Sequence, residues 1–492
     1  MNFRAVSTIL GTLLIVLSAF IFIFYLIAYF LYPQENEYNS FFSSFIITFI
    51  IGIIMVWWGG NVSEDDVTIR EGFAITGLIW IVMAFFGSLP LYLSGSIPSL
   101  VDAYFESMSG FTTTGASILS DIEKLGHTAL LWRSFTHWLG GMGIIVLSLA
   151  ILPALGVGGM QLFKAEATGP TVEKLLPQIG HTARMLYLVY TLVTVIQTFL
   201  LWGTGMNLFE SLCHTFGSVG TGGFSPFNSS IGQYTKNNPG MAFTYEQIIT
   251  FFMAFCGVNF ALHYKAILKG DIFTYFKDSE FRFYIGLIFL AIITIGINLY
   301  YQGGYNNLFT IYRDASFTVV SIITTTGYMT VDFDKWPDYS KYVLFLLMFV
   351  GGMAGSTGGG IKVVRIMILI KEIFIEVLHN IHPKRVYVIK LGKSYISRDV
   401  LYSINVFILT YVVIYFLSIL ILSFTGNDFH STSSMVIACL SNVGPGFGSV
   451  GPTHNFGFLP DYAKWILSFL MALGRLELYP LLVLSLPGLW SK

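Results

Sequence analysis

Charged side chains are scarce in this sequence. Asp, Glu, Lys and Arg make up 11% of its 492 residues, against roughly 25% in ordinary soluble domains. A chain so poor in charge and 54% hydrophobic has too little polar surface to cover itself in water, which excludes a soluble globular protein. An excess of either sign is missing too. The net charge is −1, so no basic field points to nucleic acid. Cysteine is rarer still: Cys213, Cys256 and Cys439 lie far apart inside apolar segments. That excludes a disulfide framework and any metal-ligand spacing, leaving three small buried hydrophobes. No Ser/His, Cys/His or paired-carboxylate constellation clusters in the apolar segments, which speaks against an enzyme.

What the chain has in abundance is apolar runs long enough to span a bilayer, which takes about 20 residues each. The first, residues 9–31, exceeds the core of a signal peptide, roughly 7–15 residues, and no small-residue cleavage site follows it; it reads as a retained span. Two N-terminal spans near 8–32 and 41–60 are joined by PQENEYN. From about residue 70 a pattern recurs: an apolar helix, a short amphipathic segment, a polar glycine-bearing loop, and another apolar helix. The sequence thus predicts an all-α integral membrane protein of about ten transmembrane helices. Two accessory helices (1–66) precede four helix–pore loop–helix repeats, at 67–165, 166–278, 279–392 and 393–492, in pseudo-fourfold arrangement.

The four loops read TTTGAS (112–117), GSVGTGG (217–223), TTTGYMT (324–330) and SNVGPGFG (441–448). Taking Gly115, Gly220, Gly327 and Gly444 as reference glycines, the intervals are 105, 107 and 117 residues by subtraction, the mark of internal duplication. Two residues before them stand Thr113, Ser218, Thr325 and Asn442, all small and polar; four before stand the apolar Phe111, Phe216, Ile323 and Leu440. Scattered glycines such as Gly140, Gly141 and Gly143 need only close helix packing. Lysine and arginine set the expected sidedness. Lys164, Lys174, Lys265, Lys269, Lys277, Lys384, Arg385, Lys390 and Lys393 fall in alternate connections, which makes those cytoplasmic and lets the glycine loops enter from outside, with Lys236, Lys335 and Lys341 as exceptions.

Irregular backbone at membrane depth is tolerated only where it is buried in protein or lines a watery cavity. Four such loops around one axis make a ring, and glycine lets successive carbonyls turn inward. Carbonyl rings replace the hydration shell of a cation. The expected ion-lining residues are Thr113, Thr114 and Gly115; Ser218, Val219 and Gly220; Thr325, Thr326 and Gly327; and Asn442, Val443 and Gly444. Half-helices at 100–110, 208–217, 308–323 and 430–440 precede the loops, and their negative C-terminal ends would favour cations. Asp102, Glu106, Glu210 and Asp314 on them are either a cation-attracting mouth or local pairing partners. GFGSVG (446–451) follows no strand and opens no βαβ unit, so its dinucleotide-like spelling is empty; GSTGGGIK lacks the phosphate-loop lysine position.

These loops, in this order, resemble the filters of the Trk/Ktr/HKT superfamily of cation transporters. The fit covers essentially the whole chain, and the two extra N-terminal spans resemble a TrkH-like member. The resemblance implies potassium (K⁺) as the transported ion, because glycine stands in all four filters, and serine in the first is linked to sodium preference. It implies a bacterial cytoplasmic (inner) membrane location, no organic cofactor in this chain, a homodimer, and a cytosolic nucleotide-binding ring of RCK-type subunits. The basic segment around residues 384–393 is a docking surface for that ring or simply a positive-inside signal. A secondary transporter coupling K⁺ to a H⁺ or Na⁺ gradient, as in symport, is the alternative, although its repeats would normally be inverted pairs.

The second helix of the third repeat is interrupted by GGMAGSTGGGIK (351–362), and glycines at this density unravel a helix at roughly 1 kcal/mol each. In similar proteins this position holds an intramembrane gate loop beneath the filter. That assigns Gly351, Gly352, Gly355, Ser356, Thr357, Gly358, Gly359 and Gly360 to a gate. Further on, SFLMALGRLELYP puts Arg475 and Glu477 in an apolar helix. An arginine at the bilayer centre costs about 2.5–3.5 kcal/mol even on mild scales, so it must face inward toward acceptors, either the loop carbonyls or Glu477. Similar proteins hold this arginine against the gate loop.

Overall fold

The computed structural model describes residues 1–62, 67–143, 179–384, 388–392 and 394–490. Lys164, Lys174, Arg385 and Lys393, and the expected boundary at 165–166, lie outside the described residues. The chain is helical nearly throughout. Beyond the helices, the described residues hold one two-stranded antiparallel hairpin, Lys390–Leu391 with Ser394–Tyr395.

The first two helices, Phe3–Leu31 and Tyr38–Gly59, pair along their length. Their contact depends on small residues: a methyl on Gly11 would stand 2.7 Å from the Gly52 carbonyl oxygen, so the backbones approach as closely as membrane helices can. The connection between them reaches the repeats. Glu35 Oε2 accepts the His127 amide at 2.7 Å and Glu37 Oε2 accepts the Ala129 amide at 3.0 Å. Two carboxylates thus cap the positive N-terminal end of helix His127–Gly141, the placement a helix dipole favours.

Each of the four repeats then builds the same unit. The first helices are Ile69–Leu93, Ile179–Gly203, Ser279–Gln302 and Arg398–Leu422. The half-helices are Leu100–Phe111, Leu208–Val219, Leu308–Ile323 and Phe429–Leu440. Every half-helix starts at a capping side chain that accepts an amide of its first turn: Ser99, Asn207, Asn307 and Asp428. Such caps are worth about 1 kcal/mol each and fix where each half-helix begins. The second helices are His127–Gly141, Pro239–Cys256, Asp338–Val350 and Asp461–Arg475.

Six helices among the described residues are long and apolar enough to cross a bilayer, namely the N-terminal pair and the four first helices. Pro239–Cys256 and Phe260–Leu268 together make a seventh if the pair, bent by 101°, is taken as one broken span. The remaining three of the ten expected, the second helices of repeats one, three and four, have only 15, 13 and 15 residues, roughly 20 Å of helix.

Glu37 carries a testable signature of its burial at this cap. Burial raises its carboxyl to about 7 from 4.5, with the neighbouring Glu35 charge adding and the Ala129 amide and His127 opposing. A raised carboxyl favours the protonated form in the fold, so its stabilising contribution is present below pH 4.5 and lost as the pH rises through about 7. Glu37→Gln should therefore gain in Tm relative to wild type as pH rises across that window. A Tm difference that stays constant with pH would contradict the assignment.

Candidate functional site

The half-helices converge, and all four end in the same cap. The second residue after each helix adopts a left-handed conformation: Thr113, Thr221, Thr325 and Asn442, with φ of 53°, 53°, 58° and 57°. The next amide donates to the carbonyl five residues back at 2.8 Å in every repeat, Thr114 to Ser109, Gly222 to Gly217, Thr326 to Ser321 and Val443 to Ala438. This is a Schellman closure made with residues other than glycine. A β-branched threonine at positive φ is an outlier, costing on the order of 1–3 kcal/mol, and three of the four positions carry one.

One residue further on stand Gly115, Gly223, Gly327 and Gly444, at φ of 81°, 80°, 78° and 97°. A methyl added to any of them would fall within 3.0 Å of a carbonyl oxygen of the next repeat. The sequence of contacts closes on itself: Gly115 on Gly222, Gly223 on Thr326, Gly327 on Val443, and Gly444 on Thr114, the last at 2.6 Å. Only glycine fits, both for its backbone angle and for this approach. The four carbonyls and four glycines form one ring, with the negative ends of four half-helices behind it.

The chain leaving the ring is tied in the same circular order. Asn228 of the second repeat accepts the Ile122 amide at 2.7 Å, Gly232 donates to Met329 at 3.1 Å, Asp334 accepts the Gly448 amide at 3.1 Å, and Phe456 donates to Ser117 at 2.8 Å. Above the ring these segments enclose a cavity of about 130 Å³ bordered by all four glycines.

This geometry corrects one expectation. In the second repeat Ser218 and Val219 are still helical and Gly220 is in the right-handed region at φ −73°. The ring positions there are Thr221, Gly222 and Gly223, three residues later, which makes the intervals 108, 104 and 117 by subtraction. The Ser218 hydroxyl turns back to the His214 carbonyl at 2.7 Å and takes a hydrogen bond from Gln197. The other nine ion-lining residues expected from the sequence stand on the ring. Thr112 and Thr114 hydroxyls bond at 2.8 Å, as do those of Thr324 and Thr326, and Asn442 Nδ2 reaches Thr114 Oγ1 at 3.0 Å. The half-helix carboxylates are paired locally: Asp102 with Lys464, Glu106 with Arg133, Glu210 with Tyr234, and Asp314 with Tyr305.

Directly inside the ring lies the loop between Asp338–Val350 and Val363–Ile381. It turns at Gly351, Gly355 and Gly360, all at positive φ. The Gly359 amide donates to Thr325 Oγ1 at 2.7 Å, and a methyl on Gly358 would stand 3.0 Å from the Thr324 carbonyl oxygen. Gly359 is pressed more closely still on the Ser441 carbonyl oxygen, which a methyl there would approach to 2.3 Å. Gly352, Ser356 and Thr357 complete the turn, with Thr357 Oγ1 donating to the Cys256 carbonyl at 3.2 Å. The loop is moored to the break in the second repeat, where Met353 donates to Gly257 and the Phe260 amide to Gly355, both at 2.9 Å.

Arg475 reaches this loop. Its Nη1 donates to the Thr357 carbonyl at 2.6 Å, and Nη2 donates to Gly141 at 2.8 Å and to Gly140. The guanidinium thus joins the loop of the third repeat to the end of a helix in the first. Of its two expected acceptors it takes the loop carbonyls; the Glu477 carboxylate pairs instead with Arg365. Sequence reasoning passed over Lys362, which is 2% exposed, has φ of 81° and donates its ammonium to the Gly358 carbonyl.

Comparison with known proteins follows from this geometry. A family model described as TrkH, cation transport protein, matches residues 37–490. The chain is 39% identical to the Trk system potassium uptake protein TrkH of Escherichia coli strain K12, over the full length of both. It is 33% identical to the Trk system potassium uptake protein TrkG of the same strain, over 94% of each. The crystal structure of the potassium transporter TrkH from Vibrio parahaemolyticus superimposes with a TM-score of 0.88 at 34% identity, covering both chains completely.

The register of the second loop is open to a direct check. Gly223→Ala should abolish ion uptake in transport-deficient cells, and Ser218→Ala should leave ion selectivity unaltered. Loss of selectivity in Ser218→Ala, with Gly223→Ala still active, would restore the earlier register.

Proposed function

The chain belongs to the TrkH family of cation transport proteins, and from that premise we propose that it takes up potassium ions across a bacterial cytoplasmic membrane. The ion passes single file through the glycine–carbonyl ring, which is the selectivity filter, and the loop at 351–362 with Arg475 is the gate. The observation that carries this reading is the closure of the ring. Four carbonyls held at fixed spacing by glycine contacts substitute for water around a dehydrated monovalent cation, and the Schellman-capped half-helices aim their negative ends at the same point.

Gating follows from what lies beneath. Irregular backbone is pressed against Thr324, Thr325 and Ser441 directly beneath the ring, and a guanidinium held there opposes a passing cation electrostatically. Opening requires the loop to leave the ring, and glycine at its three turning points makes that rearrangement cheap in steric terms.

The chain works as part of a larger assembly in this reading: a homodimer resting on a cytosolic nucleotide-binding ring of RCK-type subunits. The relatives' description as parts of a Trk system supports it, as do the exposed Lys384 and Lys390 on the face that the lysine bias makes cytoplasmic.

Two variants test filter and gate separately. Gly115→Ser must displace the Gly222 carbonyl and should lower the K⁺/Na⁺ permeability ratio about tenfold, a change of ~1.4 kcal/mol; an unchanged ratio would contradict the filter. Arg475→Ala should raise basal flux through the purified chain, and a correctly folded but silent variant would contradict the gate.

A further inference from the structure

Glu106 and Arg133 form a buried ion pair that transport through the ring does not by itself require. Glu106 is 1% and Arg133 2% exposed. Arg133 Nε and Nη2 both donate to Glu106 Oε1, at 2.8 and 2.6 Å. The same carboxylate accepts the Ser117 hydroxyl on Oε1 and the Ile118 amide on Oε2, each at 2.9 Å. It therefore straps the chain two and three residues beyond Gly115. The guanidinium lies over the ring of Phe224 at 4.1 Å, the residue after Gly223, and its Nη1 has no hydrogen-bond partner. One ion pair thus holds the exits of two adjacent loops.

In the third and fourth repeats a hydroxyl on the half-helix makes the corresponding strap. Nine residues before the ring glycine stand Glu106, His214, Thr318 and Met435. The Ser321 hydroxyl donates to the Tyr328 carbonyl at 2.7 Å, and Ser434 accepts the Phe447 amide at 2.9 Å. A hydroxyl is enough to strap the exit chain, whereas a buried ion pair carries a desolvation penalty that only good geometry offsets. Position adds a second point. Arg133 is the only Asp, Glu, Lys or Arg among the described residues bordering the cavity at the mouth of the ring. A lone guanidinium there would repel the entering cation, and Glu106 behind it cancels that field.

We infer that the Glu106–Arg133 pair sets the electrostatic potential at the mouth and thereby the apparent affinity for the entering cation. The inference rests on the transport reading. Arg133 is the outward, repulsive member and Glu106 the inward, compensating one, so removing either charge has an effect of opposite sign. A purely structural brace gives the same sign for both, because either loss loosens the same two exits.

The test is rubidium uptake by the purified full-length chain in proteoliposomes, comparing half-saturating concentrations. Arg133→Gln leaves Glu106 bonded to Ser117 and Ile118 and should lower the half-saturating concentration about threefold or more. Glu106→Gln should raise it by a similar factor, and the double variant should return close to wild type. Both single shifts should shrink when choline chloride is added, because salt screens a field and not a packing defect. If Glu106→Gln does not fold, Arg133→Gln and the double variant still decide the question. Shifts of the same sign, no shift for Arg133→Gln, or shifts insensitive to salt would overturn the inference. Absence of K⁺-competed rubidium uptake in wild type would instead overturn the transport reading.

Discussion

Ion passage as proposed here depends on one packing constraint: each ring glycine rests on the carbonyl of the next repeat's loop, and the fourth rests on the first. A closed cycle of contacts has no free end. A loop cannot shift without pushing its neighbour, so the ring keeps its dimensions as a unit and not as four separate turns. Such rigidity is what discrimination between ions of similar charge demands, and it explains why strain is tolerated. Threonine at positive φ is unfavourable locally, yet it recurs in three repeats because the Schellman closure it permits turns the chain straight from helix end to ring. The sheath of half-helices, their capped starts and the circular ties among the exit segments all position this cycle.

Below the ring the loop at 351–362 is held by hydrogen bonds to Thr325, Gly257, Cys256 and Glu280, and its Met353 and Ile361 side chains are packed into the core. Arg475 bridges the loop to Gly140 and Gly141 of another repeat. The Glu477 carboxylate pairs with Arg365. Arg133 is paired with a carboxylate at the mouth, and Arg475 donates to backbone carbonyls beneath.

Much of this was legible in the sequence, for physical reasons. Spans, half-helices and four recurring loops leave patterns in polarity that survive without any knowledge of contacts. So does the glycine run of the third repeat, and an arginine in an apolar helix announces an internal partner. The second loop was misread because GSVGTGG offers Gly220 and Gly223 with a small polar residue two before each. Capping would have decided it. From N-cap to ring glycine the spacing is 16 residues for Ser99–Gly115, Asn207–Gly223 and Asp428–Gly444, and 20 for Asn307–Gly327, the excess being about one helical turn. Gly220 would give 13. Partner choice was not legible: whether Glu477 answers Arg475 or Arg365 depends on helices far apart in sequence. The stop of the second-repeat helix at Gly257, marked by only a single glycine, also left no strong trace.

The central claim is that one closed ring conducts potassium as a channel-like filter. Rubidium uptake by the purified chain in proteoliposomes, driven by membrane potential with no H⁺ or Na⁺ gradient, tests it most directly. The account predicts uptake under voltage alone, competed by K⁺ and not by Na⁺. Uptake that appears only when a H⁺ or Na⁺ gradient is imposed would contradict it and make the same ring part of a coupled transporter.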